Sequence, residues 1–154
     1  MMTTGNQIYL EVAKKLGAPA SQRVMNIFAA TFSPEEGRFL LELFNPATCQ
    51  AVASRMGMDE KQVLAVLEDL TARGVINKGE TQYCFHSSLI AFHHHVVGGV
   101  GVAPTPKKIK DAWRDFFYNE WTAMFVEGYI RRLETTGWPV HRVWPSRSIR
   151  CRKD

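Results

Sequence analysis

Apolar positions along this chain recur mostly at three- and four-residue steps, and the polar punctuation between them marks out a series of helices with one short alternating stretch. The segments QIYLEVAKKLG and SQRVMNIFAATF are both amphipathic, and Ser21 follows Pro19 as a candidate N-cap. In Phe32-Ser33-Pro34-Glu35-Glu36 a capping serine precedes a first-turn proline and two acids, the order favoured by the positive end of a helix dipole. A third helix is therefore expected to run to about Phe44, with Phe39, Leu40 and Leu43 packing on the helix-turn-helix pattern that begins at Thr48.

The pattern is most specific from Thr48 to His86. In TCQAVASRMG, Val52, Ala53 and Met56 share a helical face and Gly57 can take a positive φ at its end. The small Ala53 lets a second helix cross closely, and Met58 is expected to plug the corner. Asp59 with Gln62 is a capping-box-like start, and Val63, Val66, Leu67 and Leu70 keep helical spacing to Arg73 and Gly74. Val75 and Ile76 are expected to open a strand, Asn77 to Gln82 to carry a turn with Gly79, and Tyr83 to His86 to return. Helix, tight turn, helix and hairpin in this order predict a winged helix-turn-helix, with Asp59–Arg73 as recognition helix and Asn77–Gln82 as wing. The expected fold class is mainly α with a small β-hairpin (α+β).

Residues 87–106 move from apolar residues to glycine and proline and are expected to connect two subregions. Gly98, Gly99 and Gly101 lack the Lys-Ser/Thr pair of a phosphate cradle. His93, His94 and His95, with His86, do not predict a metal site, because adjacent residues diverge around a helix or alternate across a strand. They are expected to be loop residues or partly buried. Beyond them Ile109, Trp113, Phe116, Phe117, Trp121 and Met124 form a broad apolar stripe. A helix from about Lys107 to Leu133 is expected, bent or divided at Asn119 or Gly128. The stripe serves either as core against the winged helix or as an interface led by Trp113, Phe117, Trp121 and Phe125. Val140 to Trp144 suit a short strand. The expected organisation is a winged-helix domain with its N-terminal helices at 1–86, a connection at 87–106, and a helical, aromatic-rich extension with a basic tail at 107–154.

A length of 154 residues suffices for a substantial core. No apolar run reaches membrane length, and MMTTGNQIYL lacks the basic and apolar regions of a secretion signal, so a cytoplasmic setting is expected. Cys49, Cys84 and Cys151 are dispersed, as suits reduced thiols, and Cys49 and Cys84 are expected to be small buried hydrophobes. The net charge of +4 conceals an asymmetry. Residues 1–100 hold eight basic and nine acidic side chains, whereas the remainder holds eleven and six. Arg142, Arg147, Arg150, Arg152 and Lys153 crowd the end, a tail suited to solvent or to phosphates.

Leu16-Gly17, Phe32-Ser33-Pro34-Glu35-Glu36, the winged-helix pattern, the aromatic helix and Arg142-Val143-Trp144-Pro145 together resemble the region preceding the ferredoxin module in some microbial 4Fe-4S electron-transfer proteins. In that family closely spaced cysteines downstream hold the cluster. This chain lacks those repeats, and Cys151 alone cannot replace four ligands, so no cofactor is expected here. The resemblance implies a regulatory or docking part linked to such proteins.

Two function classes remain. In DNA binding by a transcriptional regulator, Lys61, Gln62 and Ala65 would face a groove and Lys78 would lie in the wing. Charge opposes this, since Asp59, Glu60, Glu68 and Asp69 outnumber Lys61 and Arg73 on the recognition segment. In the second class the same surface, Glu68 included, docks a protein partner or a second copy, and this is the favoured expectation. No local motif assembles a nucleophile, base and orienting group, so neither an enzyme nor a small-molecule substrate is expected.

Overall fold

The computed structural model describes residues 4–98 and 104–136. Among these the element order is α1 (Thr4–Lys15), α2 (Gln22–Thr31), α3 (Pro34–Glu42), α4 (Cys49–Met56), α5 (Glu60–Ala72), β1 (Asn77–Lys78), β2 (Tyr83–Cys84), α6 (Leu89–Val97), α7 (Lys107–Phe116), a π-helical turn (Phe117–Trp121) and α8 (Thr122–Thr136). The protein is mainly helical with a small antiparallel sheet. It divides into two compact units, 1–114 and 115–154.

Local chemistry sets the helix starts. Ser21 Oγ accepts the Val24 amide at 3.2 Å. Ser33 and Glu36 complete a reciprocal capping box, with Glu36 N donating to Ser33 Oγ at 3.1 Å and Ser33 N to Glu36 Oε2 at 2.7 Å. Thr48 caps α4 through the Ala51 amide, and Asp59 Oδ1 accepts the Lys61 and Gln62 amides at 3.0 and 3.3 Å. Each such cap is worth about 1 kcal/mol.

The corner between α4 and α5 closes through backbone, not through Met58. Gly57 takes a φ of 64°, and Met58 N donates to Ala53 O at 3.1 Å. The Met58 side chain is 38% exposed, contrary to its expected role as a plug. The same device ends α5: Gly74 has a φ of 71° and Val75 N donates to Leu70 O at 2.8 Å. That bond commits the Val75 amide to the helix end, so β1 starts at Asn77 instead of Val75. Val75 and Ile76 are buried nonetheless.

β1 and β2 pair antiparallel with Asn77 opposite Cys84 and Lys78 opposite Tyr83. Gly79 N donates to Gln82 O at 2.7 Å within the intervening turn. β2 is shorter than the expected return strand, because Phe85 N turns to Leu43 O at the end of α3 (2.7 Å). On the outer side of β2, Ala47 exchanges two backbone bonds with Tyr83, at 2.8 and 3.0 Å. The linker between α3 and α4 thus supplies a third rung that the sequence pattern did not announce.

The segment 87–106, expected as a connection, contains α6. Ser88 Oγ caps it by accepting the Ala91 amide at 3.2 Å, and Leu89, Phe92 and Val96 are buried. Phe92 joins an aromatic chain through the core of the first unit, with ring centroids 6.1 Å from Phe28, 5.5 Å from Phe85 and 6.0 Å from Trp113. Tyr9 and Phe32 extend it, at 5.5 Å, and the Tyr9 hydroxyl donates to Phe32 O at 2.9 Å. Burying a side chain such as Phe28 or Phe92 contributes roughly 1.5–3 kcal/mol. Cys49 and Cys84 are only partly buried, which corrects their expected core role.

In the second unit the helix widens by one residue over Phe117–Trp121, where the Thr122 amide donates to Phe117 O. The Thr122 hydroxyl reinforces it by donating to the same oxygen at 2.8 Å. The irregularity encloses Asn119, one of the two expected break points, while Gly128 lies inside α8. Val140 to Trp144, the basic tail and Cys151 lie outside the described residues. Among the described residues no helix is long and apolar enough to cross a membrane.

Candidate interaction surface

Helix α5 buries Val63, Leu67 and Leu70, spaced by four and three residues, and this places Lys61, Leu64, Ala65 and Glu68 together on the opposite, exposed stripe. Gln62 and Asp69 flank it and are also exposed. The expected contact residues Lys61, Gln62, Ala65 and Glu68 therefore do lie at the surface. Leu64, at 42% exposure, joins them as an apolar member missed by sequence reading. Its place opposite the Val63-Leu67-Leu70 stripe was the available signal.

Glu68 is bound to the hairpin. Lys78 Nζ lies 2.7 Å from Glu68 Oε1, and the Tyr83 hydroxyl donates to the same oxygen at 2.6 Å. The Lys78 hydrogen bond, followed by that of Tyr83, holds the Glu68 carboxyl below its ordinary range, and Glu68 in turn raises the Lys78 ammonium. Burial, then Glu68, pushes the Tyr83 phenol upward. The wing's expected cation is thus already neutralised.

The same holds for other basic groups around this motif. Arg55 Nη1 donates to Glu42 O at 3.2 Å and approaches Glu42 Oε2 at 3.4 Å. Arg73 Nε donates to Asp69 Oδ2 at 2.8 Å and its Nη1 to Thr31 O at 2.9 Å, while Nη2 pairs with Glu36. Among the described residues of the stretch from α4 through β2, Lys61 is the cation that retains no acidic partner.

No protein-family model, curated protein or solved structure matches this chain.

The expected aromatic interface divides. Trp113 is 1% exposed and its ring meets His93 at 4.7 Å as well as Phe92, so it is a core residue and presents no face to a partner. Phe117, Trp121 and Phe125 are half-buried and form a ladder, with centroids 6.1 Å apart for the first pair and 5.9 Å for the second. Tyr118, Met124, Val126 and Ile130 are exposed. A stripe drawn on a straight α-helix misplaces Met124, because the π-helical turn inserts one residue and rotates everything after it by about 100°.

The histidines sit on or beside α6, and His93 and His95 are partly buried, the second of the two expected states. His86 is 2% exposed, its Nδ1 lies 3.3 Å from Asn77 Nδ2, and its ring centroid is 4.5 Å from that of His95. Burial, then the neighbouring His95, lowers its pKa to about 4, and the nearby Gly74 and Val75 backbone does not offset this. His95 Nδ1 in turn lies 3.0 Å from Ala91 O, the geometry of an N–H donated along the helix. Burial also lowers the pKa of His93. Among the described residues no group of three or more His, Cys, Asp or Glu side chains is placed to hold a metal.

Proposed function

We propose that this chain is a non-enzymatic winged-helix module that docks a protein through the outward face of α5. One observation carries the reading: Arg55, Arg73 and Lys78, three of the motif's four cations, are spent on Glu42, Glu36, Asp69 and Glu68, which leaves Lys61 alone uncommitted among its described residues, while Leu64 and Ala65 stand exposed beside Glu68. Phosphate binding draws on uncommitted Lys and Arg side chains, whereas an apolar centre with an acidic rim suits a partner helix or strand carrying basic residues. The succession α3, Ala47, α4, α5 and a hairpin supports the winged-helix scaffold. The resemblance to the region before a ferredoxin module makes a 4Fe-4S electron-transfer protein the first partner to try.

The test is calorimetric titration of the chain with a purified 4Fe-4S ferredoxin, alongside a gel-shift with mixed-sequence duplex DNA at physiological salt. Docking predicts ferredoxin binding that Leu64→Glu weakens at least tenfold, with little DNA shift. A submicromolar, salt-sensitive DNA shift lost in Lys61→Ala would replace this reading with that of a DNA-binding transcriptional regulator using Lys61, Gln62 and Ala65. Light scattering separates a second copy from a foreign partner, since self-docking through α5 gives a dimer that Leu64→Glu dissociates.

A further inference from the structure

The first unit contains a cavity of about 270 Å³ where the ends of α2 and α5 meet α6 and the start of α7. Its apolar wall includes Ala30, Val75, Val96 and Ile109. Thr31 and Thr105 also line it, but their hydroxyl protons are committed, Thr31 donating to Ile27 O at 2.7 Å and Thr105 to Val96 O at 2.6 Å. Two cations complete the lining, Arg73 and Lys108.

These cations differ in what they have left to offer. A guanidinium carries five N–H groups. Arg73 directs Nε and Nη2 toward Asp69 and Glu36 and one Nη1 hydrogen to Thr31 O, which leaves a second Nη1 hydrogen uncommitted. Lys108 is exposed and has no acidic partner among the described residues, in contrast to Lys107, whose Nζ lies 2.6 Å from Asp111. Thus an apolar chamber slightly below the usual ligand-pocket size is lined by one residue with an N–H to spare, Arg73, and one whose ammonium has no acidic partner among the described residues, Lys108.

We infer that this cavity binds a small apolar monocarboxylate, with the hydrocarbon part against Val75, Val96 and Ile109 and the carboxylate drawn to Lys108 and the spare Arg73 Nη1 hydrogen. A charge-assisted bond to an ammonium or guanidinium is stronger than a neutral one, so the acid should be preferred to an uncharged molecule of the same shape. The site is independent of the docking surface on α5.

The probe is benzoate, titrated into the full chain by calorimetry and followed by thermal unfolding, with benzyl alcohol as the uncharged comparison. The expected result is saturable binding and a Tm that rises with benzoate concentration, as for any ligand that binds the folded state alone. Benzyl alcohol should bind about tenfold more weakly, and Lys108→Gln should remove most of that preference. Ile109→Phe, which fills the chamber, should abolish binding. Lys108→Gln changes an exposed residue and leaves the fold intact, so it keeps the test decisive if Ile109→Phe unfolds. Absence of saturable benzoate binding, or equal affinity for acid and alcohol, would overturn the inference.

Discussion

Lys78 Nζ sits 2.7 Å from Glu68 Oε1, so the hairpin's basic side chain is directed onto α5 instead of outward. This contact ties the hairpin to α5 and leaves the Lys78 ammonium paired instead of free at the surface. The Glu68→Gln variant should free the ammonium and increase non-specific DNA binding at low salt. The slope of log affinity against log salt should steepen by about one phosphate contact. Adding Lys78→Ala should return both to their starting values, and an unchanged slope in the single variant would show that Lys78 does not approach the phosphates.

His86 makes stability depend on pH. Its pKa falls from 6.5 to about 4 on folding, so between these values the unfolded chain holds more protons than the folded one. Stability from this group is complete above pH 6.5 and declines as pH falls toward 4, by up to about 3 kcal/mol. Urea midpoints at pH 7.5 and 4.5 should therefore differ more in the wild type than in His86→Phe. His94→Gln, at an exposed position, should keep the wild-type difference.

Arg73 joins three helices through one guanidinium, meeting Asp69 on α5, Glu36 on α3 and the Thr31 carbonyl at the end of α2. Its partial exposure weakens each contact, and Arg73→Ala should cost about 1–3 kcal/mol in denaturant unfolding. A double-mutant cycle with Glu36→Gln should show clear coupling. Additive losses would mean that the Thr31 carbonyl and the packing of the side chain account for the effect.

Gly37 on α3 faces Ile8 of α1. A Cβ there would stand 2.6 Å from Ile8 Cγ2 and 3.4 Å from the Phe32 ring. Gly37→Ala gains helix propensity of about 1 kcal/mol, yet the crowding should outweigh it and lower stability by about 1–2 kcal/mol. Ile8→Ala removes the offending methyl, so the double variant should recover part of the loss relative to Ile8→Ala alone. A Gly37→Ala protein more stable than wild type would show that Ile8 moves aside freely.

The parts of the fold legible in the sequence are those closed by bonds between near neighbours. Ser21, Ser33, Thr48 and Asp59 cap helices through amides two or three residues ahead, and Gly57 and Gly74 end helices through bonds spanning five residues or fewer. Helix α6 escaped because the three adjacent histidines and the glycines behind them obscured the spacing of Leu89, Phe92 and Val96. The stripe through Trp113 and Met124 was legible in composition but not in orientation, since a π-helical turn leaves no comparable mark in residue type.

Exposed positions of the candidate surface were equally readable: Lys61, Ala65 and Glu68 follow from the burial of Val63, Leu67 and Leu70. The electrical state of that surface was not. Lys78 meets Glu68 across ten residues, Arg55 meets Glu42 across thirteen and Arg73 meets Glu36 across thirty-seven. Such pairs depend on how finished helices pack, as do the bridge from Ala47 to Tyr83 and the burial of His86 and Trp113. The order of residues is enough to set where most helices start and stop and which faces turn inward, because those follow from local hydrogen bonds and periodicity. Which charges stay available and which aromatics are covered emerge only once the helices have packed, because both depend on contacts between residues far apart along the chain.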